Sequence, residues 1–284
     1  MRTIKNNGCS LLFYNMKTIS LLLLVLLQSQ ILFGQHKECP YELNKKKELL
    51  YSGSGLLLTF TGLILRQSVS PLTVTEINEL DISSVNSFDR KTVSSYSIDA
   101  NNCSDHLQII GWVMPFAFAI PKETRKDFWT IGLMTLETVL LTNGVTSILK
   151  GSTQRIRPYA YNEDAPIDAK TKVETKLSFF SGHTSNYAAL SFFSAKIIAD
   201  YSDKNKVKIL AFSTAAVSSA YMGYLRVKSG NHFMTDVIVG YAVGAAIGIA
   251  IPHLHKKHDE DRKLSFTPFY NNETMGLHLT WALN

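Results

Sequence analysis

Cysteine is scarce in this 284-residue chain. Cys9, Cys39 and Cys103 are the three, and no pair has the spacing of a zinc ribbon or a thioredoxin-like site. Charge is scarce as well: Asp, Glu, Lys and Arg make up 18% of the residues, below the roughly one quarter of an ordinary globular chain. No internal repeat at a solenoid period is present. Apolar content, in contrast, is ample. The chain is 45% hydrophobic and 11% aromatic, which excludes a disordered or collagen-like polypeptide. Mean hydropathy is +0.03, between a soluble protein and a polytopic membrane protein. The net charge of +6 favours anionic partners such as phosphates or lipid headgroups, or else a solvated basic surface.

Residues 17–34 have the anatomy of a secretory signal: a basic start at Lys17, a leucine-rich run, and Gly34 before Gln35. Met16 stands directly before it as a candidate initiator. Gln28, Ser29 and Gln30 interrupt the apolar run, which weakens it as a membrane span; an uncleaved anchor is the alternative. Cleavage after Gly34 would remove Cys9 and leave Cys39 and Cys103, either as one disulfide or as two free thiols.

Beyond the leader, an apolar stretch covers 49–65, and a polar segment rich in Ser, Asn, Asp and Thr covers 67–105, with a short helix expected near 75–80. Five further apolar stretches follow at about 107–120, 128–149, 184–200, 207–225 and 234–251. Their lengths favour helices over strands, and Leu133, Leu136, Leu140 and Leu141 recur at helical period. Met275, Leu277, Leu279, Trp281 and Leu283 alternate as a strand does, and Leu264 and Phe266 are its expected partners. The expected fold is all-α, a bundle of about six helices with a small C-terminal β-hairpin or strand. The expected divisions are a signal at 1–34, an N-terminal helix and polar connection at 35–106, the bundle at 107–252, and a basic linker with the β tail at 253–284.

Three clusters at expected helix ends carry the chemistry. Lys150 and Arg157-Pro158 close one helix, Ser181-Gly182-His183 opens the next, and Arg226, His232 and Asp236 bridge two more. Three fixed cations suit a phosphate-like dianion, because charge-assisted hydrogen bonds from guanidinium groups are short and strong. Ser-Gly at a helix start adds a hydroxyl and exposed N–H groups for an anion. His232 and Asp236 are four apart and share a helix face. A carboxylate there can keep one imidazole nitrogen protonated and leave the other free to attack.

The pattern Lys-x6-Arg-Pro, then Ser-Gly-His, then Arg-x5-His-x3-Asp resembles the type 2 phosphatidic acid phosphatase family. Its superfamily includes bacterial acid phosphatases, lipid phosphate phosphatases, glucose-6-phosphatase and vanadium haloperoxidases. The resemblance is specific over 145–245. Two positions depart from it: Phe180 stands where the family often has Pro, and Leu225 where it often has Ser. The resemblance implies a metal-independent phosphatase without cofactor. Lys150, Arg157 and Arg226 would bind phosphoryl oxygens, helped by Ser181 and the Gly182 N–H. His232 would attack phosphorus to form a phosphohistidine, Asp236 would orient it, and His183 would protonate the leaving group. His232 must then be neutral and His183 charged, giving a bell-shaped pH profile. The implied partner is a phosphorylated lipid (phosphatidate, a polyprenyl diphosphate or lipid A) or another organic phosphate, with a membrane surface nearby and no nucleic acid. A vanadate-dependent haloperoxidase and a phosphatase for soluble esters are the alternative activities. Phe179 and Phe180, beside Ser181, are candidates to guide an acyl chain or to cap the core.

The leader and the basic turns at 121–126, 201–206 and 255–263 place the expected catalytic face outside the cytoplasm, either periplasmic or on a membrane. Two other features read as structural. His253, His255 and His258 are interleaved with Lys256 and Lys257 and read as a solvated tail rather than a metal site; Glu137 reads as a hydrogen-bonded core residue.

Overall fold

The computed structural model describes residues 38–257, 264–270 and 275–281. The leader at 17–34, Cys9 and His258 lie outside the described residues. Among those described, six helices of sixteen or more residues form the body. They are α1 (Lys45–Gln67), α2 (Ile98–Val113), α3 (Phe128–Thr153), α4 (Gly182–Tyr201), α5 (Asn205–Lys228) and α6 (Met234–Leu254). The fold is all-α in its body, as the apolar periodicity predicts. Strands β1 (Leu264–Tyr270) and β2 (Met275–Trp281) pair antiparallel, with Leu264 opposite Trp281 and Tyr270 opposite Met275.

Local chemistry sets the helix ends. The Asn44 side chain accepts the Lys46 N–H and starts α1, and the Ser97 side chain accepts from Ala100 and starts α2. α2 therefore begins nine residues earlier than the apolar run at 107. Its first turns are polar, with Asn101, Ser104 and Asp105. These side chains face the site at the upper end of the bundle, which is why hydrophobicity alone does not mark them. Residues 67–97 hold short helices at Val74–Asn78 and Ser87–Arg90 and a 3-10 turn at Ile82–Ser84.

The six helices alternate in direction. At one end, Tyr201 Oη donates to Asp127 Oδ2 at 2.7 Å, the Glu42 N–H donates to the His255 carbonyl at 2.9 Å, and Lys256 Nζ reaches Asp200 Oδ1 at 3.1 Å. This lower end holds the start of α1 and the basic turns. At the upper end, the Ser181 N–H donates to the Asp236 carbonyl at 3.1 Å and Arg226 meets α2. All three motif clusters lie there.

Backbone contact between α1 and α3 requires small residues. A Cβ on Gly62 would stand 2.5 Å from Ser147 Cβ, and one on Gly144 would stand 2.6 Å from Leu58 Cβ. Such glycine-to-helix contacts let packing replace the hydrophobic drive that is absent between helices in lipid. α4 is the central helix, with Leu190, Phe193 and Ile197 buried. The outer faces stay apolar: Leu57, Ile64, Trp129 and Val217 are each two-thirds exposed or more. Among the described residues, three segments are long and apolar enough to cross a membrane: Lys45–Gln67, Phe128–Tyr161 and Met234–Leu254. The apolar runs read from sequence are shorter because polar residues continue each helix past its run.

Cys39 and Cys103 are free thiols. Cys39 lies beside Tyr201 Oη at the lower end, while Cys103 precedes Ser104, which holds Arg226 at the upper end. Of the two possibilities for this pair, the fold has two free thiols and no disulfide.

Candidate active site

The motif residues at the upper end come from four helix ends, and the start of α2 packs beside them. Lys150 is in the last turn of α3, Arg157 follows it, Ser181 caps α4, Arg226 is in the last turn of α5, and Asp236 is in the first turn of α6. Three of the four ends arise from residues visible in the sequence. Gln154 leaves α3 in the left-handed region at φ 44. Ser181 Oγ accepts the Thr184 N–H and caps α4. Gly230 turns the chain between α5 and α6 at φ +74, where an added Cβ would meet the Ser95 carbonyl oxygen at 2.3 Å. Only glycine fits that turn.

All eight residues expected from the motifs converge here. Lys150, Arg226, His232, Ser181 and Asp236 are each more than nine-tenths buried. Lys150 Nζ donates to the Leu177 carbonyl at 2.5 Å. Arg157 Nη1 donates to Asn231 Oδ1 at 2.7 Å. Arg226 Nη1 donates to Ser104 Oγ at 2.8 Å and Asn101 Oδ1 at 3.0 Å. The Nε atoms of Arg157 and Arg226 are buried without a hydrogen-bond partner. The hydrogen-bond partners of both guanidiniums are neutral, Asp105 Oδ1 stands 3.8 Å from Arg226 Nη1, and the spare N–H donors suit an anion. Gly182 lies beside Lys150: an added Cβ would make ordinary contact with Thr146 Cγ2 at 3.5 Å and Lys150 Cε at 3.6 Å.

The two histidines differ in setting. His232 is 1% exposed. Burial and the surrounding Lys150, Arg157, Arg226 and His183 hold its imidazole well below the usual histidine range, so it is neutral. Its Nδ1 lies 3.6 Å from Asp236 Oδ2, too long for a hydrogen bond, and has no other partner. His183 Nε2 pairs with Asp105 Oδ1 at 2.9 Å. Burial, then Arg226, Arg157 and Lys150, lower the His183 pKa to about 3. Burial and three nearby cations thus disfavour the charged His183 expected from the motif, while the Asp105 carboxylate at 2.9 Å favours it.

Sequence reading misses several supporting groups. Arg155, two residues before Arg157, donates from Nη1 to Asp236 Oδ1 at 2.5 Å and from Nη2 to Asp89 Oδ2 at 2.7 Å. Ser178 Oγ donates to Asp236 Oδ2 at 2.5 Å, and the Phe233 N–H donates to the same oxygen at 3.0 Å. Asp89 is fully buried and also accepts from the Thr235 N–H at 3.0 Å. Hydrogen bonds from Thr235, Asn86 and Arg155 hold its carboxyl below the usual range despite burial. Asp89 belongs to the polar connection, which gives no sign of entering the site. Arg155 does stand in the first motif, where a second arginine at a helix end is the available signal. Phe180 is wholly buried and caps the core, so it does not line a path to Ser181; Phe179 is partly exposed.

Comparison with known proteins agrees with the motif resemblance. Residues 131–260 match the PAP2 superfamily. A lipid A 4'-phosphatase of Porphyromonas gingivalis is 32% identical over 132 residues, which are 45% of this chain and 51% of that protein. The chain thus spans about half the length of the curated relative it matches. The crystal structure of a transmembrane PAP2-type phosphatidylglycerolphosphate phosphatase from Bacillus subtilis is 21% identical. It covers 73% of this chain and 98% of its own, with a TM-score of 0.47.

Proposed function

We propose that this chain is a phosphatase that hydrolyses a phosphomonoester or diphosphate of a lipid through a phosphohistidine at His232. One observation carries the reading: three separate clusters put Lys150, Arg157 and Arg226 around two histidines, one of them neutral and buried. A phosphoryl group bound there gains charge-assisted hydrogen bonds from all three cations, with Ser181 and the Gly182 N–H completing the cradle. His232 attacks phosphorus through Nε2, since its Nδ1 faces Asp236. As the P–O bond to the leaving group breaks, His183 gives its proton to the departing alkoxide. The now neutral His183 then takes a proton from water as it attacks the phosphohistidine, which releases phosphate and restores His232. The cations supply the electrostatic stabilisation that a metal supplies elsewhere.

The lipid class rests on the exposed apolar faces and the three segments able to cross a membrane, with the site at one end of the bundle. Lipid A, on which the Porphyromonas relative acts, is one such phosphate. The test is hydrolysis in detergent of lipid A, phosphatidate and a polyprenyl diphosphate, beside a short water-soluble ester, each with and without vanadate. Vanadate-sensitive turnover with a clear preference in kcat/KM for at least one lipid is the expected result. Equal kcat/KM on the short ester would point to a phosphatase for soluble esters.

A further inference from the structure

The lower end holds a second cluster of ionisable groups, remote from the phosphate-binding residues. Glu48 in the first turn of α1, Glu137 in α3 and His255 after α6 converge there. One donor atom from each lies within 4.8 Å of the others. His255 Nε2 is 3.2 Å from Glu48 Oε2 and 3.2 Å from Glu137 Oε2. Two ligands of one ion, each about 2.0–2.2 Å from it, stand roughly this far apart. His255 is therefore not part of a solvated tail: it is 1% exposed, while His253 two residues earlier is exposed.

Each of the three side chains is oriented by its other polar atom. His255 Nδ1 is 2.8 Å from the Ile251 carbonyl, which can only accept, so Nδ1 carries a proton. In the neutral ring, Nε2 then presents a lone pair to the cluster. Ser52 Oγ donates to Glu137 Oε1 at 3.0 Å, and the Asn44 N–H donates to Glu48 Oε1 at 3.2 Å. Such outer hydrogen bonds, with the remaining atoms aimed inward, are the arrangement around a bound metal. Glu137 Oε2 is the independent sign. It is fully buried, points into the cluster and has no hydrogen-bond partner.

Charge decides between a proton and a metal. A protonated His255 carries one Nε2–H to share between Glu48 Oε2 and Glu137 Oε2, each 3.2 Å away, and two carboxylates with one imidazolium keep a net negative charge. A divalent cation with neutral His255 balances both carboxylates and takes all three lone pairs. We infer that Glu48, Glu137 and His255 form a binding site for a divalent first-row transition-metal ion, with one nitrogen and two oxygen ligands. The partly exposed Glu48 side gives entry and room for water. The ion ties α1, α3 and α6 together. Glu137 precedes Lys150 by thirteen residues of helix, about 20 Å, so the ion takes no part in phosphoryl transfer and the inference stands apart from the proposed activity.

The test uses the full chain in detergent, stripped with chelator, offered Zn2+ or Mn2+ separately, desalted, and read by elemental analysis and thermal unfolding. One equivalent of zinc or manganese per chain and a higher Tm are expected. Glu48→Gln and His255→Ala should each lose the metal and the rise in Tm, and exposed His253→Ala should keep both. Glu137→Gln should behave as the first two; if it does not fold, Glu48→Gln, at a partly exposed first turn, still decides. Neither metal retained by the wild-type chain would overturn the inference and leave an ion-pair cluster. Equal retention by Glu48→Gln and His255→Ala would overturn it too, as adventitious binding.

Discussion

Arg155 Nη1 holds Asp236 Oδ1 at 2.5 Å, closer than any contact Asp236 makes with His232. The carboxylate is fixed from three sides, by Arg155, Ser178 and the Phe233 N–H. The same guanidinium reaches Asp89, and its carbon lies 4.3 Å from the Phe233 ring centroid. Arg155 thus links the polar connection, the loop after α3 and the first turn of α6. Its hydrogen bonds go to Asp236, Asp89 and Thr235, so in the proposed reaction it would act through Asp236.

Arg155 is a positioning residue, so its loss should appear in kcat. Arg155→Gln is expected to lower kcat on the order of 10²-fold, as misplacement of a catalytic group does, with a much smaller change in KM. Arg155→Lys, able to serve one carboxylate but not both, should fall between. Steady-state kinetics on one lipid phosphate, with thermal unfolding beside it, read the split. An unchanged kcat would remove Arg155 from the mechanism.

Protonation of His183 should follow the anion. Burial and the surrounding cations lower its pKa to about 3, which keeps the ring neutral from pH 5 to 8. A bound dianion offsets Lys150, Arg157 and Arg226 and raises that pKa, so binding takes up a proton, more of one at lower pH. Sulfate is the clean probe because it does not titrate in this range. Its binding enthalpy, measured at pH 6 in buffers of different ionisation enthalpy, should report proton uptake in the wild-type chain and little in His183→Gln. Binding without uptake in the wild type would mean that His183 enters the reaction uncharged.

Orientation follows from the ends of the bundle. The lower end gathers Lys45, Lys46, Lys47, Lys122, Arg125, Lys126, Lys256 and Lys257. On the positive-inside rule we propose that this end faces the cytoplasm and the end with the three motif clusters faces outside. That orientation begins α1 on the cytoplasmic side, which a leader cleaved after export does not allow, so the two are alternatives. A reporter fused after Asn284 should be active only in the cytoplasm. Activity only outside would favour an exported body with buried helices.

The fold is legible where apolar residues recur at helical period. Leu133 to Leu141 announces α3, and the run from 184 announces α4. The start of α2 is hidden because its first turns face a polar site, so Asn101, Ser104 and Asp105 break the apolar pattern. The convergence of the eight motif residues is legible because each cluster stands at a helix end that the apolar periodicity marks. Asp89 is not, since its role depends on a fold-back that brings residue 89 beside Arg155 and Thr235. His255 misleads for a similar reason. Two flanking lysines suggest solvent, while its own ring turns inward between Glu48 and Glu137.

The central claim is that His232 becomes covalently phosphorylated. The direct measurement is a rapid, acid-free quench of the His183→Ala chain with a phosphate ester that has an acidic leaving group, followed by mass mapping of the peptide that contains residue 232. The expected result is an acid-labile phosphohistidine at His232, formed faster than it decays, and none in His232→Ala, which should have no turnover on any substrate. Full activity in His232→Ala, or phosphate mapped to another residue, would contradict the claim.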